Sequence, residues 1–212
     1  MSNPIRAVIW DFGGVISSSP FEAFQRFEAS NALPPGFLRS VNATNPDDNA
    51  WARFERSEID LDTFDAAFGA ESAALGHPVS GRAVLGLLGG EIRPSMVQAL
   101  QRLRPRLRLG LITNNVLAAE APGADPAGRD AVLALFHHVL ESAKVGIRKP
   151  DPAIYRLMCE ALGIEPREAV FLDDLGINLK PARAMGMHTI KVRDPDDALV
   201  ELEAVVGMPL RG

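Results

Sequence analysis

Short apolar runs that each stop at a polar residue punctuate the chain: Ala7–Trp10 before Asp11, residues 107–112 before Thr113, and residues 169–172 before Asp173. Runs that are apolar at nearly every position are what strands buried on both faces of a parallel sheet require. Two further strands are predicted at residues 139–140 and 188–192. Among these runs, apolar residues recur at helical spacing over Pro94–Leu103, Pro152–Leu162 and residues 179–185. Such alternation predicts an α/β fold, a parallel sheet with helices on both faces.

From about residue 20 to residue 90 the strand pattern disappears. Phe21, Phe24 and Phe27, then Trp51, Phe54, Phe64 and Phe68, follow helical spacing instead. A helical insertion is predicted, giving an α/β unit over residues 1–16 and 95–212 and an inserted cap over 17–94. Placed directly after the first strand, it overhangs that strand's C-terminal end, where open α/β sheets bind their ligands. Most of its aromatics are expected to form its own core. Residues 118–128, rich in Ala, Pro and Gly, predict a loop. Gly86, Gly89 and Gly90 neither follow a strand nor open a helix, which argues against a dinucleotide site.

Composition narrows the picture. A chain of 212 residues, 47% apolar and 23% charged, can bury a substantial core. Its start lacks a basic segment followed by a signal-like apolar stretch, and no apolar run approaches the ~20 residues that span a bilayer. The lone Cys159 permits neither an intrachain disulfide nor a cysteine zinc site. These features lead us to expect a cytoplasmic protein with no membrane partner. A net charge of −5, with the arginines of residues 102–108 interleaved with leucine, excludes nucleic acid as an expected partner. His77, His137, His138 and His188 lack metal-ligand spacing and are read as structural, and Cys159 as a core-facing helix residue.

Candidate chemistry gathers at the strand ends. Asp11 precedes Phe12, Gly13 and Gly14, glycines that let the backbone turn sharply beside a ligand. Alone, such a segment is an ordinary turn. Thr113 and Asn114 offer a hydroxyl, an amide and backbone N–H groups suited to phosphate oxygens, although each could equally cap a helix. Lys149 lies in Lys149-Pro150-Asp151-Pro152, where two prolines stiffen the chain and Pro152 can open a helix. A surface lysine is usually solvated, whereas a fixed one could neutralise a nucleophile and a phosphoryl group together. Asp173 and Asp174 are adjacent acids after four apolar residues, a costly placement unless a cation offsets it or they cap the helix near Asn178. Mg²⁺ suits such carboxylates.

Taken together, Asp11, Thr113, Lys149 and Asp173 with Asp174 resemble the four motifs of the haloacid dehalogenase superfamily, and the resemblance extends over the whole chain. Residues 145–152 and 171–183 are similar to the N-terminal phosphatase domain of soluble epoxide hydrolases. The resemblance implies a Rossmann-type parallel sheet with a helical cap after the first strand. It further implies a Mg²⁺-dependent hydrolase that acts on a small phosphorylated metabolite through an aspartyl-phosphate on Asp11. Metal ligands would be Asp11, the Gly13 carbonyl, Asp173 and Asp174, and Thr113, Asn114 and Lys149 would hold the phosphate. One position departs from the family. Its phosphatases carry a second aspartate, the general acid, where this chain has Gly13, a change that weakens action on poor leaving groups by ~10²- to 10⁴-fold. Gly13 is also compatible with 2-haloacid dehalogenation or with a catalytically weak phospholigand-binding protein. The paired acids count against the first alternative, because they would repel a carboxylate substrate. Retention of Asp11, Lys149 and both paired acids counts against the second. Oligomeric state and substrate identity are not encoded in any motif.

Overall fold

A computed structural model of the chain describes residues 4–116 and 126–211. Among these, five strands form one parallel sheet: β1 (Ala7–Trp10), β2 (Arg108–Thr113), β3 (His138–Glu141), β4 (Ala169–Asp173) and β5 (His188–Lys191). Their order is β3-β2-β1-β4-β5, so β1 is central, with Trp10 opposite Leu111 on one side and Leu172 on the other. Because every strand runs the same way, the C-terminal ends of β1, β2 and β4 meet along one edge. Asp11, Thr113 and Asp173 therefore converge there.

Side-chain alternation along the strands sorts the core into two layers. Val8 and Trp10, Leu109 and Leu111, and Val170 and Leu172 pack with helices Pro94–Leu103 and Pro195–Val206. Ala7, Ile9, Ile112 and Phe171 pack on the other face, with Pro152–Leu162 and Gly176–Ala184. Burial of each large apolar side chain contributes roughly 1.5–3 kcal/mol, which is why the strands tolerate so few polar residues. At Gly110 a Cβ would overlap the Met158 sulfur, so its bareness lets helix Pro152–Leu162 settle on β2.

Between β1 and helix Pro94–Leu103 the chain is helical, as its spacing predicts: Phe21–Ser30, Phe37–Ala43, Ala50–Glu55, Leu61–Ala74 and Gly81–Leu85. Asn49, Asp60 and Ser80 cap the last three through their side chains. Phe24, Leu38, Val41, Phe54, Phe64 and Phe68 give this insertion its own core, with Phe54 stacked on Phe64 at 4.4 Å between ring centroids. Its two linkers pair with each other, Ser18 N–H donating to the Glu91 carbonyl and Arg93 N–H to that of Ile16.

Three local expectations differ from the structure. Helix Gly176–Ala184 starts three residues before the predicted 179, because Gly176 at its start and Pro181 within it disguise the pattern. The loop predicted over 118–128 lies outside the described residues except for its last three, and these open helix Pro126–Leu133. Helix Pro195–Val206 was not among the predicted elements, although Asp194 caps it and Pro195 starts it. Among the described residues, no helix is long and apolar enough to cross a membrane.

Candidate active site

The register between β1 and β4 builds the centre of the site. Trp10 faces Leu172 across the ladder, and the Asp11 N–H continues it by donating to the Leu172 carbonyl at 2.9 Å. Asp11 and Asp173 thus follow as neighbours, both on the face shared by Ile9 and Phe171. Two carboxylates so placed would repel each other strongly. Lys149 Nζ lies between them, 2.7 Å from an oxygen of each. Asp11 is 8% exposed, Lys149 1% and Asp173 not at all.

Each member is held from behind. Asn114, at the end of β2, grips the Lys149 main chain in both directions: its amide donates to the Lys149 carbonyl at 3.0 Å, and its Oδ1 accepts the Lys149 N–H at 2.8 Å. Asp173 accepts from the Leu175 N–H at 2.8 Å and from the Asn178 amide at 3.0 and 3.1 Å. Asn178 is itself fixed, since its carbonyl accepts from the Tyr155 hydroxyl at 2.7 Å. The Phe12 N–H donates to Asp11 Oδ1 at 2.7 Å.

Burial dominates the electrostatics. It pushes the Asp11 carboxyl up to about 8, with Lys149 opposing and Asp173 adding to the rise. Asp174 is pushed up to about 6, first by burial and then by Asp173. Burial works against the Lys149 ammonium too, but Asp11 and Asp173 outweigh it and hold that group above the usual lysine value. Donor oxygens of Asp11, Asp173 and Asp174 all lie within 4.8 Å of one another. Three acids against one buried ammonium leave negative charge in excess, and an all-oxygen donor set suits Mg²⁺.

The two glycines after the nucleophile candidate differ in what they allow. Gly14 has φ +76°, and a Cβ would overlap the Asp174 carboxylate, so this position must stay bare for Asp174 to reach the cluster. Gly13 has nothing within 4 Å of an added Cβ, and its φ lies outside the left-handed region.

Asp11, Lys149, Asp173 and Asp174 come together, and Thr113 is buried at the neighbouring strand end. Asn114, expected at the phosphate, has both amide atoms engaged by Lys149. Asn178 escaped the sequence reading; its signal was an amide in the first turn of the helix after a strand-terminal acid. Glu141 was also missed. From the end of β3 it accepts from Asn115 at 2.8 Å, pairs with Arg129 at 3.1 Å and contacts Lys144, pinning the loop after Thr113. The pairings with Asn115 and Arg129 join residues well separated in the chain. His137 serves structure, its Nδ1 accepting the Leu109 N–H at 3.0 Å, and burial pushes the Cys159 thiol up to about 11.

Comparison with known proteins agrees with this arrangement. The family model for haloacid dehalogenase-like hydrolases matches residues 5–186. Acyl-CoA dehydrogenase family member 10 of Mus musculus is 39% identical over 212 residues, covering 97% of this chain and 19% of that protein. Bifunctional epoxide hydrolase 2 of Sus scrofa is 36% identical over 219 residues, covering 97% of this chain and 40% of that protein. The chain thus spans well under half of either relative. A haloacid dehalogenase family enzyme of Bacteroides thetaiotaomicron, solved in complex with magnesium and inorganic phosphate, shares the fold at TM-score 0.58 and 22% identity, covering 88% of this chain and 93% of that one.

Proposed function

This chain belongs to the haloacid dehalogenase-like hydrolases, and from that membership we propose that it is a Mg²⁺-dependent phosphatase acting on a small phosphomonoester through Asp11. The carrying observation is the buried Lys149 bridging Asp11 and Asp173 at 2.7 Å, with Asp174 close enough to complete a three-carboxylate cluster. Asp11, Asp173, Asp174 and the Gly13 carbonyl would hold Mg²⁺, which supplies charge neutralisation at the phosphoryl oxygens. The Bacteroides relative's complex with magnesium and phosphate supports this ligand pair.

An Asp11 oxygen attacks phosphorus, forming an aspartyl-phosphate while the bond to the ester oxygen breaks and the leaving group departs with that electron pair. Water then attacks phosphorus, releasing inorganic phosphate and restoring the carboxylate. The Lys149 ammonium and the Thr113 hydroxyl face the charge that spreads over the equatorial oxygens. Asn114 contributes by fixing Lys149. The helices of residues 17–94 act as a cap over the strand ends. With no side chain at Gly13, the departing oxygen takes its proton from solvent, which favours esters with weakly basic leaving groups. Three acids facing one ammonium disfavour a haloacid carboxylate. A Mg²⁺-supplemented screen of phosphomonoesters, with halide release from 2-haloacids measured alongside, tests the proposal. Metal-dependent phosphate release is expected; halide release without metal, or no turnover of any ester, would overturn it.

A further inference from the structure

One partly buried charge pair takes no part in the chemistry above, and it joins the helical insertion to the loop carrying Lys149. Arg148 donates from Nε to Glu55 Oε2 at 2.6 Å and from a terminal nitrogen to the Pro46 carbonyl at 2.9 Å. Glu55 is buried at the end of helix Ala50–Glu55, and its other oxygen accepts from Trp51 Nε1 at 2.9 Å. Nearby, the Ser57 hydroxyl donates to the Ala143 carbonyl at 2.8 Å, and Val116 packs into the insertion's apolar core. Val116, Ala143 and Arg148 all lie beyond the C-terminal ends of β2 and β3, on the edge that holds the carboxylates. The insertion is also tethered by its paired linkers.

Desolvation and solvent screening offset most of the attraction in a partly buried ion pair, so net stability is a poor account of why it is there; fixing one arrangement is a better one. Here the arrangement is the stance of the insertion above the site. We propose that Arg148 and Glu55 are positioning residues that hold the insertion closed over the Asp11–Lys149–Asp173 centre, and so set how tightly a substrate is retained. Lys149 has separate anchors in Asn114 and the two carboxylates, so it stays in place when Arg148 is lost. Opening then lowers the fraction of molecules competent to bind, and apparent affinity falls by that fraction.

The kinetic part of this inference rests on the phosphatase reading, whereas the conformational part does not. The test compares the full chain with Arg148→Met, Arg148→Lys and Glu55→Gln, using p-nitrophenyl phosphate with Mg²⁺ and, separately, backbone hydrogen exchange without substrate. For Arg148→Met we expect KM to rise roughly tenfold or more through loss of the closed state. At saturation kcat should stay within about twofold, because the reacting groups are untouched. Amides of residues 44–58 should exchange faster while those of β1 and β4 do not. Arg148→Lys should recover part of both effects, and Glu55→Gln should fall between. Unchanged KM and exchange, or a fall in kcat at constant KM, would overturn the proposal. If Arg148→Met fails to fold, the two milder variants carry the same comparison. If the unaltered protein releases no phosphate, the phosphatase reading fails by itself and hydrogen exchange alone decides whether the pair holds the insertion.

Discussion

Replacing Lys149 by Met removes the buried cation that lies between Asp11 and Asp173 while nearly preserving its volume. Both carboxylates lose a partner at 2.7 Å, and little water can replace it, since Asp173 is fully buried and Asp11 is 8% exposed. Removing one partner of a buried pair costs about 3–5 kcal/mol, which in a chain of this size lowers Tm by roughly 6–20 °C. The loss must depend on pH. Lys149 lowers the Asp11 pKa in the native protein, so its removal raises that pKa further above the unfolded value of 3.8. The native parent holds its extra proton on Asp11 from about pH 4 up to about pH 8, so over that range the two proteins lose stability at the same rate. Above pH 8 the parent's Asp11 releases that proton and the variant's does not, so the variant's stability goes on falling. Thermal unfolding of both proteins without metal, at pH 7 and pH 9.5, should show the larger Tm difference at pH 9.5. An equal difference at the two pH values, or one below about 2 °C at pH 9.5, would refute the electrostatic account of this centre.

The unaltered protein should also lose stability as pH rises. Because Asp11 and Asp174 are raised to about 8 and about 6, metal-free stability should decline from pH 5 to pH 8, and saturating Mg²⁺ should flatten that decline in thermal scans. Asp174→Ala should weaken Mg²⁺ binding by at least about tenfold and activity with it, as calorimetry and kinetics can establish; unchanged Mg²⁺ affinity would remove Asp174 from the metal site. Gly13→Asp is sterically open, and across a series of aryl and alkyl phosphates it should flatten the dependence of rate on leaving-group pKa, with alkyl esters gaining up to ~10²-fold; no gain would mean that another group already supplies the proton.

How far the sequence reveals this site follows from what each residue must do locally. Asp11, Thr113 and Asp173 stand out because a doubly covered parallel strand is apolar until it reaches the ligand-binding edge, so a polar residue there marks that edge. Asp174 is legible beside Asp173, and Gly14 leaves the room it needs. Lys149 shows its importance only through its company. Nothing in its neighbours indicates burial at 1% exposure, which depends on two acids from strands far away in the chain. Glu141 and the pairing of Glu55 with Arg148 were missed for the same reason, since hydrogen bonds across tens of residues leave no periodic trace, whereas Asn178 lies only five residues after Asp173 and left a local signal. Asn114 illustrates the limit from the other side. Its type and place suit phosphate, yet the fold engages its amide on the Lys149 backbone.

The covalent role of Asp11 can be measured directly. The protein with Mg²⁺ and a substrate labelled in its phosphoryl group is quenched in acid during turnover, then digested and mapped. Asp11→Asn serves as the control, since its side-chain oxygen can still accept the Phe12 N–H and the fold should persist. The account predicts acid-stable, alkali-labile label on the peptide containing Asp11, and neither label nor turnover in the variant. Continued turnover by Asp11→Asn, or active parent protein that never carries label at Asp11, would contradict it.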